Sequence, residues 1–107
     1  MDTIKERSTY WVEIVCKDKD GVVQIPTSLI YRIDDCISDT EIVDDTEIIP
    51  TESPYVLKIT AAQNAMVDGD RFSETRRVTA TSVYGEDNDQ ITSQYTYTIT
   101  NLKGITN

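Results

Sequence analysis

The chain has 107 residues, a net charge of −9 and no histidine. This length fits one domain, and the acidity argues against nucleic acid or an anionic membrane as partner, since both attract clustered Lys and Arg. The missing histidine removes the usual base of nucleophilic triads and the commonest zinc ligand. There are 37 β-branched residues (15 Thr, 13 Ile, 9 Val) against three leucines, which favours strands over helices.

The first half of the chain is predicted to form short strands. Residues 1–8 are polar with mixed charge and are interpreted as an N-terminal arm, ordered only when something binds it. The domain proper is placed at residues 9–107. Its first strand covers residues 9–17, with Tyr10, Val12, Ile14 and Cys16 on one face. Further strands are predicted at residues 22–25, 28–34, 41–43, 47–49 and 55–60.

The second half contains one departure from the strand pattern. Thr60-Ala61-Ala62-Gln63 has the form of a capping box and predicts one or two helical turns over residues 60–67. Long strands at 71–84 and 91–102 then form a hairpin, which we expect to protrude or to lie against a partner. The whole pattern predicts an all-β fold: an immunoglobulin-like antiparallel β-sandwich of about seven strands with one short helical crossover.

The two cysteines, Cys16 and Cys36, could form one disulfide. The first seven residues lack the basic start and apolar stretch of a secretory signal, so we expect synthesis in the cytoplasm. In that compartment the cysteines are expected to be free thiols packed as small hydrophobic residues.

The sequence assigns no catalytic residue, cofactor or metal, and we expect a protein that is not an enzyme. Paired carboxylates occur in turn-like segments, where solvent leaves their pKa values untuned for acid–base catalysis. Calcium is the alternative considered for the acidic turns at residues 18–21, 68–70 and 87–89. Their spacing does not complete an EF-hand loop, and Asp, Asn and Gly are also ordinary turn residues.

Two groups of residues are candidates for an interface. Tyrosines on one face of the last strand could belong to the core or could dock onto another subunit. Arginines stand out in an acidic chain and either pair with nearby carboxylates such as Glu74 or bind an acidic patch on a partner. The candidate interface residues are Arg71, Arg76, Arg77, Tyr95 and Tyr97.

Several segments resemble small immunoglobulin-like proteins of tailed bacteriophages. The similarity extends over roughly residues 9–102 and is carried by strand and turn patterns. These are Tyr10-Trp11-Val12-Glu13-Ile14, the D-x-D-G turn at 18–21, residues 29–35 and 56–60, Asn64, and residues 74–79. The resemblance implies a β-sandwich that serves as a part of the virion, and it supplies no catalytic residues.

The resulting hypothesis is a non-enzymatic structural protein of a bacteriophage virion, made in the host cytoplasm. It would bind the particle in multiple copies, with capsid decoration or cementing as the favoured role. Its expected partners are the major capsid protein or tail and adaptor proteins, together with copies of itself, and strand addition at a sheet edge is one mode of contact. The alternative is a tail, baseplate or fibre component that acts as an adaptor or as a glycan- or receptor-binding module.

Overall fold

The computed structural model describes residues 2–85 and 89–102, which form seven strands in two sheets. Five strands form a mixed sheet in the order β1-β7-β6-β3-β4, and β2 pairs with β5 in a second sheet. The prediction of an all-β fold is confirmed, and the arrangement is consistent with a sandwich. The strands are β1 (Asp2–Lys5), β2 (Tyr10–Ile14), β3 (Ser28–Asp35), β4 (Glu41–Ile48), β5 (Tyr55–Ile59), β6 (Ser73–Tyr84) and β7 (Asp89–Thr100).

The core is formed by alternate residues of both sheets, because successive side chains of a strand point to opposite faces. The predicted inward phase of β2 is confirmed, since Val12, Ile14 and Cys16 are buried while Trp11 and Glu13 are exposed. The buried hydrophobic cluster consists of Val12, Ile14, Cys16, Leu29, Ile33, Leu57, Ile59, Val78, Ala80, Tyr97 and Ile99. Within the described residues, no helix is long and apolar enough to cross a membrane.

The predicted C-terminal hairpin is present. β6 and β7 pair without a register shift from Ser73 opposite Thr100 to Tyr84 opposite Asp89. β3 pairs with β6 along its other edge, so the hairpin lies inside the five-stranded sheet. The sequence predicts the turn of this hairpin at residues 85–89, and residues 86–88 of it lie outside the described residues.

The N-terminal segment differs from the predicted arm. Asp2–Lys5 forms β1, which runs parallel to β7 and pairs with Tyr97–Thr100. The Glu6 amide donates to the Thr100 carbonyl at 2.9 Å. A short exposed edge strand needs few apolar residues, so its polar sequence gave no alternating signal.

The predicted helix at residues 60–67 is wrong: the segment is a hydrogen-bonded turn. The capping box does form, because the Thr60 amide donates to Gln63 Oε1 at 2.9 Å and the Gln63 amide donates to Thr60 Oγ1 at 3.3 Å. The carbonyls of Gln63 and Ala65, which a helix would use as acceptors, instead accept hydrogen bonds from Arg76. These bonds tie the turn to β6.

Two strand predictions also need correction. The sequence predicts separate strands at residues 41–43 and 47–49, but Glu41–Ile48 is one strand. A β-bulge lies between them, because Tyr31 pairs with Thr46 while Ile33 pairs with Val43. The bulge accommodates an extra residue that breaks the alternation. The strand predicted at residues 22–25 is reduced to an isolated bridge between Lys17 and Val23.

Candidate functional site

The five candidate interface residues divide between the interior and the surface. Arg76 and Tyr97 are 0% and 1% exposed, so neither side chain can contact a partner on this fold. Tyr95 is partly buried and packs against the core. The side chains of Arg71 and Arg77 are 30% and 35% exposed and lie at the surface. Arg71 and Arg76 come together in one cluster, and Arg77 belongs to a different face.

The cluster is a buried ionic network centred on Arg76. Its Nη2 atom lies 2.9 Å from Glu74 Oε1 and its Nε atom lies 3.5 Å from Asp35 Oδ1, with all three side chains fully buried. Arg71 lies at the edge of the network, 3.5 Å from Asp35 Oδ2 and 3.6 Å from Glu74 Oε2. Buried charges are tolerated only when they are paired and hydrogen-bonded. Arg71 also lies 3.7 Å from Asp68 Oδ2, so both arginines pair with nearby carboxylates, which is one of the two interpretations given for them above.

The network also fixes the crossover at residues 60–72, which has no regular secondary structure. Arg76 donates to the carbonyls of Gln63 and Ala65 at 3.2 and 2.9 Å. Glu74 accepts hydrogen bonds from the amides of Val67 and Asp68 at 2.9 and 3.0 Å. The inward-facing side chains near the start of β6 therefore satisfy backbone groups that a helix or strand would otherwise have paired.

A carboxylate at the centre of this network stays ionised. Burial pushes the pKa of Asp35 upward, but hydrogen bonds from Ser38 and the positive charges of Arg76 and Arg71 outweigh it and lower that pKa below its ordinary value. The Ser38 bonds come from its amide at 2.9 Å and from its hydroxyl at 2.6 Å, both to Asp35 Oδ2. Asp35 is therefore a fixed negative charge that holds the turn after β3.

A second set of buried hydrogen bonds, through Asn64, joins β7 to the N-terminal segment. The Tyr97 hydroxyl donates to Asn64 Oδ1 at 2.7 Å, and Asn64 Nδ2 donates to the Ser8 carbonyl at 2.8 Å. The Tyr97 ring stacks on Tyr10 with centroids 4.5 Å apart. Burial raises the pKa of Tyr97. Burial and the neighbouring Asp2 carboxylate raise the pKa of Tyr10 to about 12, so both phenols are neutral donors near pH 7.

Two of the acidic turns considered for calcium, at residues 18–21 and 68–70, use carboxylates to stabilise their own backbone, and the third, at residues 87–89, falls mostly outside the described residues. Asp18 Oδ1 accepts from the amides of Asp20 and Val22 at 2.9 and 3.1 Å. Asp68 Oδ1 accepts from the Asp70 amide at 2.9 Å. Over residues 2–85 and 89–102, no three acidic or cysteine side chains are arranged to hold a metal ion.

The thiols are free, as predicted, but their environments differ. Cys16 is 1% exposed and belongs to the core, with its sulfur 3.5 Å from the Ser82 hydroxyl. Cys36 is exposed in the turn after β3. The expectation that both pack as small hydrophobic residues is therefore confirmed for Cys16 and wrong for Cys36.

The outer face of the five-stranded sheet carries a surface charge network around Arg32. Arg32 forms two hydrogen bonds with Asp34, at 3.0 and 3.1 Å, and lies 3.6 Å from Glu41. Arg77 pairs with the same Asp34 at 3.9 Å. The nearby Asp44 carboxylate raises the pKa of Glu41. The shared Asp34 side chain is only 8% exposed, whereas Glu41 is 46% exposed, so the Arg32–Glu41 pair is the one expected to add little stability.

Sequence reasoning missed two clefts, each of about 390 Å³, that border β7. The first lies between β2 and β7 near the start of β1, and Asp2, Trp11, Glu13 and Tyr95 are among its lining residues. The second, near the other end of β7, is lined by Asp18, Lys19, Asp20, Tyr84, Asp89, Gln90 and Ile91. Residues so distant in sequence meet only through the sheet topology, so no local pattern could have found either cleft.

Comparison of the chain with protein-family models, with curated proteins and with solved structures finds no match.

Proposed function

We propose that this chain is an immunoglobulin-like sandwich that serves as a non-enzymatic structural protein of a tailed bacteriophage particle. It binds the particle in multiple copies, with decoration of the capsid as the favoured role. The strand order, β1-β7-β6-β3-β4 in one sheet and β2-β5 in the other, supports the immunoglobulin-like fold. Within it, β7-β6-β3-β4 corresponds to the G-F-C-C′ order of variable-type immunoglobulin sheets, and β2-β5 corresponds to B-E. The virion role rests on the sequence resemblance over residues 9–102.

The use of the buried charged groups supports a role in holding shape. Arg76 pairs with Asp35 and Glu74, and Arg76 and Glu74 bind the backbone of the crossover. Their charges are neutralised by partners within the fold, so they stabilise one conformation of the loops at this end of the domain.

Quantitative mass spectrometry of purified particles tests the proposal. The particles come from the phage whose genome encodes the chain, and the ratio of this chain to the major capsid protein is measured after stringent washing. A fixed ratio near one chain per capsid subunit is expected for a decoration protein. A few copies per particle would point to the tail or baseplate, and absence of the chain would overturn the virion role.

A glycan- or receptor-binding module is the second candidate, and Trp11 is the observation that favours it. Its side chain is 59% exposed and borders the first cleft together with Asp2, Glu13 and Tyr95. Exposed aromatic rings beside carboxylates suit sugar rings, which offer apolar faces and hydroxyl donors. A glycan array probed with wild-type protein and with Trp11→Ala tests it, and an array that stays blank with and without calcium rejects it.

A further inference from the structure

We propose that the open edge of β7 binds an extended, positively charged segment of a different polypeptide by strand addition. The open edge is Asp89–Thr96, the part of β7 that β1 does not cover. In the described part of the chain, no strand lies along it on the side away from β6. The inference rests on the proposed function, because both assume that the chain acts by binding another protein. It adds the chemistry of that partner.

The direction of the backbone groups of β7 follows from two hydrogen bonds at its end. The Thr100 carbonyl accepts from the Glu6 amide at 2.9 Å, so Thr100 faces the side of β1. The next residue, Asn101, faces β6, because its amide donates to the Phe72 carbonyl at 2.8 Å. Backbone groups alternate sides along an antiparallel strand, and the pairing with β6 has no register shift. The residues whose N–H and C=O groups point to the open edge are therefore Gln90, Thr92, Gln94 and Thr96.

The open edge lacks the usual protection against pairing. Edge strands normally avoid other strands through lysine, proline, a bulge or short length. Asp89–Thr96 contains neither lysine nor proline, has no bulge and is eight residues long. The four-residue β1 already pairs with the same edge of β7, so this edge accepts an added strand within the protein itself.

The two clefts provide places for side chains of the added strand. One cleft borders Tyr95 and Thr96 and the other borders Asp89 and Ile91. In strand addition, main-chain hydrogen bonds supply affinity while pockets for alternate side chains supply specificity. The aromatic ring of Trp11 borders the first cleft and can cover an apolar side chain of the partner.

The charges beside the open edge select the kind of partner. The ionisable acidic and basic side chains that line the two clefts are the carboxylates of Asp2, Glu13, Asp18, Asp20 and Asp89 and the single ammonium of Lys19. Opposite charges steer association and like charges oppose it. A second copy of this chain carries a net charge of −9 and would be repelled, whereas a segment rich in Lys or Arg would be attracted.

Hydrogen exchange followed by NMR tests the inference with two synthetic peptides. The probe is an acetylated ten-residue peptide of alternating Lys and Val, and the matched control replaces every Lys with Glu. At saturating Lys peptide, amide exchange at Gln90, Thr92, Gln94 and Thr96 is expected to slow by about tenfold or more. Amides that already face β6, such as Ile91 and Ser93, should change by less than about twofold.

Two variants separate edge pairing from other modes of binding. Gln94→Pro removes an amide that points to the open edge and so leaves the pairing with β6 intact; it should abolish the protection, while Gln94→Ala should retain it. If Gln94→Pro does not fold, Asp89→Lys reverses a side-chain charge at the first residue of β7 and should weaken binding of the Lys peptide by about threefold or more.

Three outcomes would overturn the inference. The first is that the Lys peptide gives no protection, and the second is that the Glu peptide protects equally. The third is that the same amides are protected without peptide while sedimentation shows that the chain associates with itself. None of these outcomes depends on particle composition. A chain that is present in virions but fails the peptide test would reject the edge site alone. A chain that binds the Lys peptide but is absent from particles would reject the virion role alone.

Discussion

Arg76 and Glu74 hold their charged groups 2.9 Å apart with both side chains fully buried. The two residues are separated by one position on β6, so both point to the inner face of the sheet. The crossover at residues 60–72 donates to both carboxylate oxygens of Glu74 and accepts from both terminal nitrogens of Arg76. The pair therefore links the long hairpin to a segment that has no regular structure of its own.

Loss of the Arg76 guanidinium should be strongly destabilising. Arg76→Met keeps much of the side-chain volume but leaves the Glu74 and Asp35 carboxylates buried without their partner, a change that typically costs about 3–5 kcal/mol. Arg77→Met is the matched control, because Arg77 is on the same strand and its side chain is 35% exposed; its expected cost is less than about 1 kcal/mol. Urea denaturation measures both, and equal losses would contradict the structural role of the network.

The Tyr97 hydroxyl should contribute through its bond to Asn64. Tyr97→Phe leaves the buried Asn64 Oδ1 atom without its donor, and the expected loss in the free energy of unfolding is about 1–3 kcal/mol. Tyr95→Phe provides the control on the same face of β7, and it should be close to neutral. A Tyr97→Phe protein as stable as wild type would mean that water replaces the lost donor.

The strands could be predicted from sequence because their signal is local. Val12, Ile14, Leu57 and Ile59 alternate with exposed residues, and the structure buries all four. The structure of residues 60–67 could not be predicted from local sequence. The capping box there indicates a helix, whereas Arg76, which binds two carbonyls of the segment, is at least nine residues away. Most of the buried polar network was equally hidden, since charged residues in a strand pattern are expected to face solvent.

The turn at Gly21 should be sensitive to a side chain. Gly21 has φ of +77° and nothing within 4 Å of an added Cβ atom, so a substitution there is opposed by backbone conformation alone. Gly21→Ala is expected to destabilise by about 1 kcal/mol. Gly69→Ala is the control, because Gly69 also has open space but lies outside the left-handed region; it should be neutral or stabilising by up to about 1 kcal/mol. Thermal unfolding that ranked the two variants in the opposite order would contradict the assigned turn.

Acid should weaken the fold partly through Asp35. Its pKa is lowered from 3.8 in the folded state, so the unfolded chain binds the proton more readily. The stabilisation from this group is present above the unfolded pKa and is lost as pH falls through the folded value. Ser38→Ala removes the 2.6 Å hydrogen bond, so the pKa of Asp35 in the folded state moves closer to its value in the unfolded chain. The free energy of unfolding, measured by urea from about pH 5 to about pH 3, should therefore fall less steeply in this variant than in wild type or Ser93→Ala.

The two thiols should react in separate phases because only one reaches solvent. Cys36 is exposed and Cys16 is buried, and a thiolate must be accessible to attack a disulfide reagent. Ellman's reagent added to native protein should label one thiol rapidly, and the second should react only on the timescale of unfolding or after addition of urea. Cys36→Ser should remove the fast phase and Cys16→Ala the slow one. Two fast equivalents in the native protein would show that the core around Cys16 opens readily, and no fast equivalent would place Cys36 in a contact.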